Sequence, residues 1–181
     1  MKSGNLKKLA SMAVLAAVSV VLVSVIHFPI FPAVAFLEYD PADIPVLICG
    51  FAFGPLAGIA VTTVAAVIQG VTVSASSGVY GIIMHILASS ALVLTSSVIY
   101  RHHKTKKGAV VGILCGVFAM ALIMIPANLF ITPYFMGCER KMIVDLLPYI
   151  ILFNVIKAGG NGFITFLIYK KISNLLHKIE G

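Results

Sequence analysis

Charged residues are scarce in this 181-residue chain: Asp, Glu, Lys and Arg make up 10% of it, whereas a soluble domain carries about 25%. So little charge cannot dress a surface for water, and the 60% hydrophobic content and strongly positive mean hydropathy point to lipid instead. Catalytic signatures are missing as well. No Gly-Lys dipeptide occurs, which excludes a phosphate-cradling Walker A loop, and there is neither a dinucleotide fingerprint nor an H-E-x-x-H zinc motif. Cys49, Cys115 and Cys138 form no paired framework, and two of them lie in apolar runs, so free thiols are expected. Of the five histidines, His27 and His85 stand alone, while His102, His103 and His177 sit in basic stretches. That leaves no constellation for hydrolysis or metal binding. The expectation is a chain that is not an enzyme, with no metal and no cofactor.

What the chain does have is long apolar runs. A helix needs about 20 apolar residues to cross a hydrocarbon layer of about 30 Å, so 181 residues accommodate one bundle of about six spans. We expect a single all-α domain over residues 1–181, with helices at residues 6–27, 40–53, 55–73, 79–100, 108–132 and 146–172. The first run follows Lys7 and Lys8 and precedes Ala33-Val34-Ala35, but it exceeds the roughly 7 to 15 residues of a signal-peptide core. Pro29 and Pro32 end it. The apolar connection at residues 28–39 should fold over the bundle or line a cavity, because open backbone groups cannot face lipid. At Asp40-Pro41-Ala42-Asp43, Asp40 suits a helix cap, Pro41 the first helical position and Asp43 the positive end of the dipole. Gly54, Ala57 and Gly58 offer small surfaces for close helix contact.

Charge placement gives a topology. Lys2, Lys7, Lys8, the four basic residues of the 101–107 cluster, Lys170, Lys171 and Lys178 fall on one side of the spans, against Arg140 and Lys141 on the other. The basic side is expected to be cytoplasmic. Both termini then lie inside, which requires an even number of crossings and makes the short second helix a true span. Five of the six acids (Glu38, Asp40, Asp43, Glu139 and Asp145) fall on the outer side. The polar residues 137–145 read as the loop before the sixth helix.

Lys157 stands apart from this pattern. A lysine deep in an apolar helix costs about 2.5–3.5 kcal/mol on insertion scales, so it should face a polar cavity or a partner. Asn154, three residues earlier, shares its helical face, and Asn128 beside Pro126 supplies a further buried amide. These three either join helices by hydrogen bonds or contact a ligand, and spacing leaves both open. On the first helix, Ala13 and Ala17 form a small-x-x-x-small face, suited either to internal packing or to docking a separate subunit.

The run Leu37-Glu38-Tyr39-Asp40-Pro41-Ala42-Asp43-Ile44-Pro45, continuing through Gly50-Phe51-Ala52-Phe53-Gly54-Pro55-Leu56-Ala57-Gly58, resembles the substrate-binding S components of energy-coupling factor (ECF) vitamin transporters, in particular the riboflavin branch. Phe153-Asn154-Val155-Ile156-Lys157 is similar to that branch's Phe-Asn-x-x-Lys motif, and Ile125-Pro126-Ala127-Asn128 with Pro133 resembles its fifth helix. The resemblance implies a multi-pass receptor in a prokaryotic plasma membrane, working with a transmembrane coupling subunit and two cytoplasmic ATPases. It implies a ligand bound near the outer face under the loop after the first helix, and a loaded subunit that topples to release vitamin inward. It further implies that Asn128, Asn154 and Lys157 contact the isoalloxazine ring and that Ala13 and Ala17 dock the coupling subunit.

Side-chain chemistry agrees with such a guest. A flavin ring edge alternates carbonyl acceptors with an imide N–H, and asparagine can donate and accept where lysine only donates. Phe36, Leu37 and Tyr39 could cover the flat ring. Where the riboflavin branch often carries Lys-Asn in its third helix, this chain has Ala65-Ala66, and Ala158 follows Lys157 where that branch usually has glycine. The alternative is therefore another vitamin or precursor, such as pantothenate, a thiamine-related compound or a pyrimidine. A stand-alone ion-coupled secondary carrier is the alternative of another class. It calls for an intramembrane carboxylate, and the sequence places none away from helix ends.

Overall fold

The computed structural model of the chain describes residues 3–180, with side chains at residues 4–172 and 174. Lys2 lies outside the described residues, as do the side chains of His177 and Lys178. Six α-helices run through this span: α1 (Ser3–Val25), α2 (Asp43–Phe53), α3 (Pro55–Val71), α4 (Gly78–His102), α5 (Lys106–Met136) and α6 (Arg140–Glu180). Four of them, α1, α4, α5 and α6, are long and apolar enough to cross a membrane. The other two are apolar but short: at 1.5 Å per residue, the 11 residues of α2 extend only about 17 Å.

Local chemistry sets the helix ends. Thr105 caps α5 by accepting the Gly108 amide at 3.0 Å, and Gly137, with φ 63°, closes the same helix in the left-handed conformation that glycine adopts readily. Pro126 and Pro133 lie inside α5 without ending it, and Pro148 lies inside α6. Apolar runs and charge alone end the fifth helix at residue 132, leave a loop at residues 137–145 and start the sixth at 146. Instead α5 runs on to Met136, and α6 begins at Arg140. The cause is that helix and hydrocarbon need not end together. Arg140, Lys141 and Asp145 are exposed on the first turns of α6, and a helix of 41 residues far exceeds the span of about 20 that lipid requires.

Small residues let the helices approach one another. A Cβ on Gly112 would stand 2.7 Å from the Ser96 carbonyl oxygen, and one on Gly116 would stand 2.8 Å from that of Leu92. The α4–α5 seam, the most extensive helix contact in the fold, is therefore backbone against backbone. Gly58 has the packing role expected of it, close to Val93 and the Gly50 backbone. Gly54 does not: nothing crowds it, and its φ of 95° serves the break between α2 and α3. The main core gathers Leu47, Leu92, Val93, Met120 and Ala158, drawing on α2, α4, α5 and α6.

The connection between α1 and α2 is an ordered cover. Strands β1 (Phe28–Pro29) and β2 (Glu38–Tyr39) pair antiparallel, Phe28 against Tyr39 and Pro29 against Glu38. A 3-10 turn at Pro32–Val34 forms the tip between them. Val34 there is fully buried against Ile143 and Ile150 of α6, so the segment folds back onto the bundle as its apolar composition requires.

Candidate ligand site

At the base of this cover the chain enters α2, and Asp40 marks the junction. One oxygen of its carboxylate accepts the Ala42 amide at 3.0 Å, and the other accepts the Lys157 ammonium at 2.6 Å. Both partners are buried, Asp40 at 3% and Lys157 at 7% exposure, so the ion pair is removed from water. Asp40 is thus only in part the cap expected of it. Its amide partner is Ala42, two residues on, and its second oxygen closes a contact across 117 residues of sequence.

Asp43 stands in the first turn of α2, at the helix dipole as expected, but it is completely buried. It accepts the Ser89 hydroxyl at 2.5 Å and the Asn161 amide at 3.2 Å. Asn161 also donates to the Asp40 backbone carbonyl at 2.9 Å and accepts the Tyr39 hydroxyl at 3.0 Å. From α1, the Ser19 hydroxyl reaches the Ala42 carbonyl at 2.5 Å. A continuous polar chain thus links α1, α2, α4, α6 and the cover, and every buried oxygen named in it has a hydrogen-bond partner, as burial demands.

Beside this chain lies a cavity of about 140 Å³ beneath residues 36–38. At roughly 10–15 Å³ per enclosed water, that is room for about ten solvent molecules. Asn154 and Lys157 of α6 line one side; Gln69, Ser74, Ser77 and His85 line the α3–α4 side; Met84, Met120 and Phe153 add apolar surface. A smaller cavity of about 60 Å³ adjoins it and shares Phe36, Leu37, Ser77, Gly81 and Met84, with Asn128 and Thr132 on its far wall.

The structure therefore brings Asn154 and Lys157 together on the larger cavity, places Phe36 and Leu37 on both, and puts Asn128 on the smaller one. Tyr39 lines neither: its hydroxyl is taken by Asn161 and its ring lies 5.5 Å from Phe28. The two asparagines each hold their own helix as well. Asn154 donates to the Ile150 carbonyl and Asn128 to that of Met124, both at 2.8 Å, and the Asn128 oxygen accepts Thr132 at 2.9 Å. Ala66 borders the larger cavity. Ala13 and Ala17 are exposed on α1, while Ser11, Leu15, Ala16, Ser19 and Val23 turn inward. Internal packing is thus not what this small-residue face does among the described residues.

Sequence reasoning missed Asn161, Gln69 and His85. Asn161 was within reach, since it follows Lys157 by four positions and so shares its helical face. The other two are single polar residues in apolar helices, and only the assembled bundle turns them toward one space.

The chain matches the family model of the ECF transporter substrate-specific component over residues 7–169. It belongs to that family. This S component is 27% identical to riboflavin transporter RibU of Staphylococcus aureus over 180 residues, covering 96% of this chain and 94% of the relative. It is 31% identical to riboflavin transporter FmnP of Bacillus subtilis over 122 residues, 66% of this chain and 63% of the relative. A solved S component of a bacterial ECF transporter superposes with a TM-score of 0.84 at 29% identity, covering 95% of this chain and 98% of that one. The family consists of substrate-specific transporter components, so binding rather than turnover is the chemistry to explain, and the four long apolar helices embed the protein in a membrane.

Proposed function

We propose that this S component captures riboflavin for uptake across a prokaryotic plasma membrane, as the substrate-specific subunit of an ATP-driven ECF transporter. The single observation that carries the reading is the Lys157 ammonium, buried yet bordering a cavity. Lysine has three donors and Asp40 occupies one, which leaves donors for a guest. With the Asn154 amide beside it, that arrangement suits the acceptor–donor–acceptor edge of a flavin ring. Phe36 and Leu37 close the space above, and the relatives' names carry the same ligand.

In this reading the chain forms one unit over residues 1–181, crossing the bilayer six times with both termini in the cytoplasm, so that the short α2 and α3 also cross. Asn128 extends the polar contacts into the smaller cavity. The exposed Ala13 and Ala17 lie on the face that docks the transmembrane coupling subunit, itself driven by two cytoplasmic ATPases. Calorimetric titration of the purified full chain with riboflavin, together with mass spectrometry of co-purifying small molecules, tests the assignment. Tight binding and a retained flavin are expected; no heat and no flavin would reject it.

A further inference from the structure

The larger cavity has two chemically different sides. On α6 stand a pure donor, Lys157, and an amide, Asn154; on α3, α4 and the connection between them stand Gln69, His85, Ser74 and Ser77, all neutral groups that both give and take hydrogen bonds when the imidazole is uncharged. Alcohol groups have that same double character, so the α3–α4 side complements a hydroxylated chain better than it complements a ring edge. Within that side, His85 has an Nε2 closed off from solvent and without any hydrogen-bond partner. Three serine hydroxyls, those of Ser90, Ser96 and Ser97, share that condition among the described residues, and none of the three lines the cavity. Buried polar atoms are ordinarily paired, so an unpaired one on a ring that lines the cavity marks an imidazole with hydrogen-bonding capacity to spare.

We infer that His85 is a specificity-determining residue whose imidazole hydrogen-bonds a hydroxyl of the ligand's flexible polyol chain, while the α6 side holds the ring. This rests on the flavin reading above. It goes further in dividing the cavity into a ring side and a hydroxyl side and in naming the group that tells a sugar-alcohol flavin from a bare one.

The test titrates the full-length protein in detergent with two probes, riboflavin and lumiflavin, which share the ring while lumiflavin carries a methyl group in place of the polyol chain. Quenching of flavin fluorescence reports binding. The unaltered protein should prefer riboflavin by at least about tenfold, roughly what one hydrogen bond is worth as an affinity ratio. H85L should lower riboflavin affinity about tenfold and leave lumiflavin within about twofold, and H85Q, which keeps a donor and an acceptor, should recover part of the loss. Equal affinity of the unaltered protein for both probes overturns the inference whether or not any variant folds. Equal losses for both probes in H85L, or no loss for either, overturn it too. Failure of the unaltered protein to bind either probe instead refutes the flavin reading itself, so the two failures are distinguishable.

Discussion

Replacing Lys157 with methionine separates two roles that one side chain combines here. The change removes the ammonium from Asp40, whose carboxylate is 3% exposed and keeps only the Ala42 amide as a donor. Leaving one member of a buried ion pair behind costs about 3–5 kcal/mol, so K157M should unfold at a clearly lower temperature in the absence of ligand. Adding D40N neutralises the abandoned carboxylate and retains an oxygen for the Ala42 amide. The double variant should then lie within about 1–2 kcal/mol of the unaltered protein, a deficit set by the lost hydrogen bond. Binding behaves differently. A hydrogen bond from a charged donor contributes about 1.5–3 kcal/mol, so riboflavin affinity should fall by roughly 10- to 150-fold in K157M, and D40N cannot restore a donor that is gone. Thermal unfolding and fluorescence titration on the same three proteins give the answer. If the double variant regains both stability and affinity, Lys157 holds the helices together and does nothing for the ligand. If K157M alone binds riboflavin unchanged, the ring-edge assignment fails.

Three further expectations follow from particular contacts. Y39F removes the hydroxyl that Asn161 accepts, which should lower stability by about 1 kcal/mol while leaving riboflavin affinity within about twofold; a large loss of binding would put Tyr39 in the site after all. G112L drives a side chain into the Ser96 carbonyl region of α4 and should destabilise the bundle by about 1–3 kcal/mol, read as a lower unfolding temperature, with an unchanged value denying the close α4–α5 approach. Phosphorylated riboflavin should bind more weakly than riboflavin, because Glu38 borders the cavity and the charges of Asp40 and Lys157, the other ionic groups on its wall, offset each other. A phosphate charge about 8 Å from one carboxylate, at an effective dielectric of about 20, costs about 2 kcal/mol, or roughly thirtyfold in affinity; equal affinity would mean that the acids are screened.

The sequence made the apolar helices plain because lipid imposes long unbroken runs, and Lys157 stood out because charge is so expensive there. It misjudged the turn between α5 and α6 for the same reason. Arg140, Lys141 and Asp145 look like loop when charge is taken as the sign of a helix end, yet a helix can carry charge freely once it has left the hydrocarbon. Asp40 and Asp43 were read only in part, on a different ground. Their position just before an apolar run has a sufficient local explanation in helix capping, and nothing local reveals that Lys157 and Asn161 lie across from them at separations of 117 and 118 residues. Register between distant helices comes from packing, here from Gly50, Gly58, Gly112 and Gly116 setting how closely α2, α3 and α5 approach α4, and single-chain spacing does not encode that.

The cover over the cavity is held at two places by forces of different kind. Its base is polar: Tyr39 is tied to Asn161, and Asp40, the next residue, is tied to Lys157. Its tip is apolar, with Val34 buried against Ile143 and Ile150 and the Phe31 ring 6.1 Å from that of Tyr149. Exposing Val34 alone costs about 1.5–3 kcal/mol, and Phe31, Phe36 and Leu37 pack against the same cluster, whereas separating the ion pair at the base would return hydration to both charges. The apolar tip is therefore an attachment at least as strong as the polar base. With both attachments in place Lys157 stays aimed by Asp40, so the group proposed to receive the ligand is oriented before any ligand arrives.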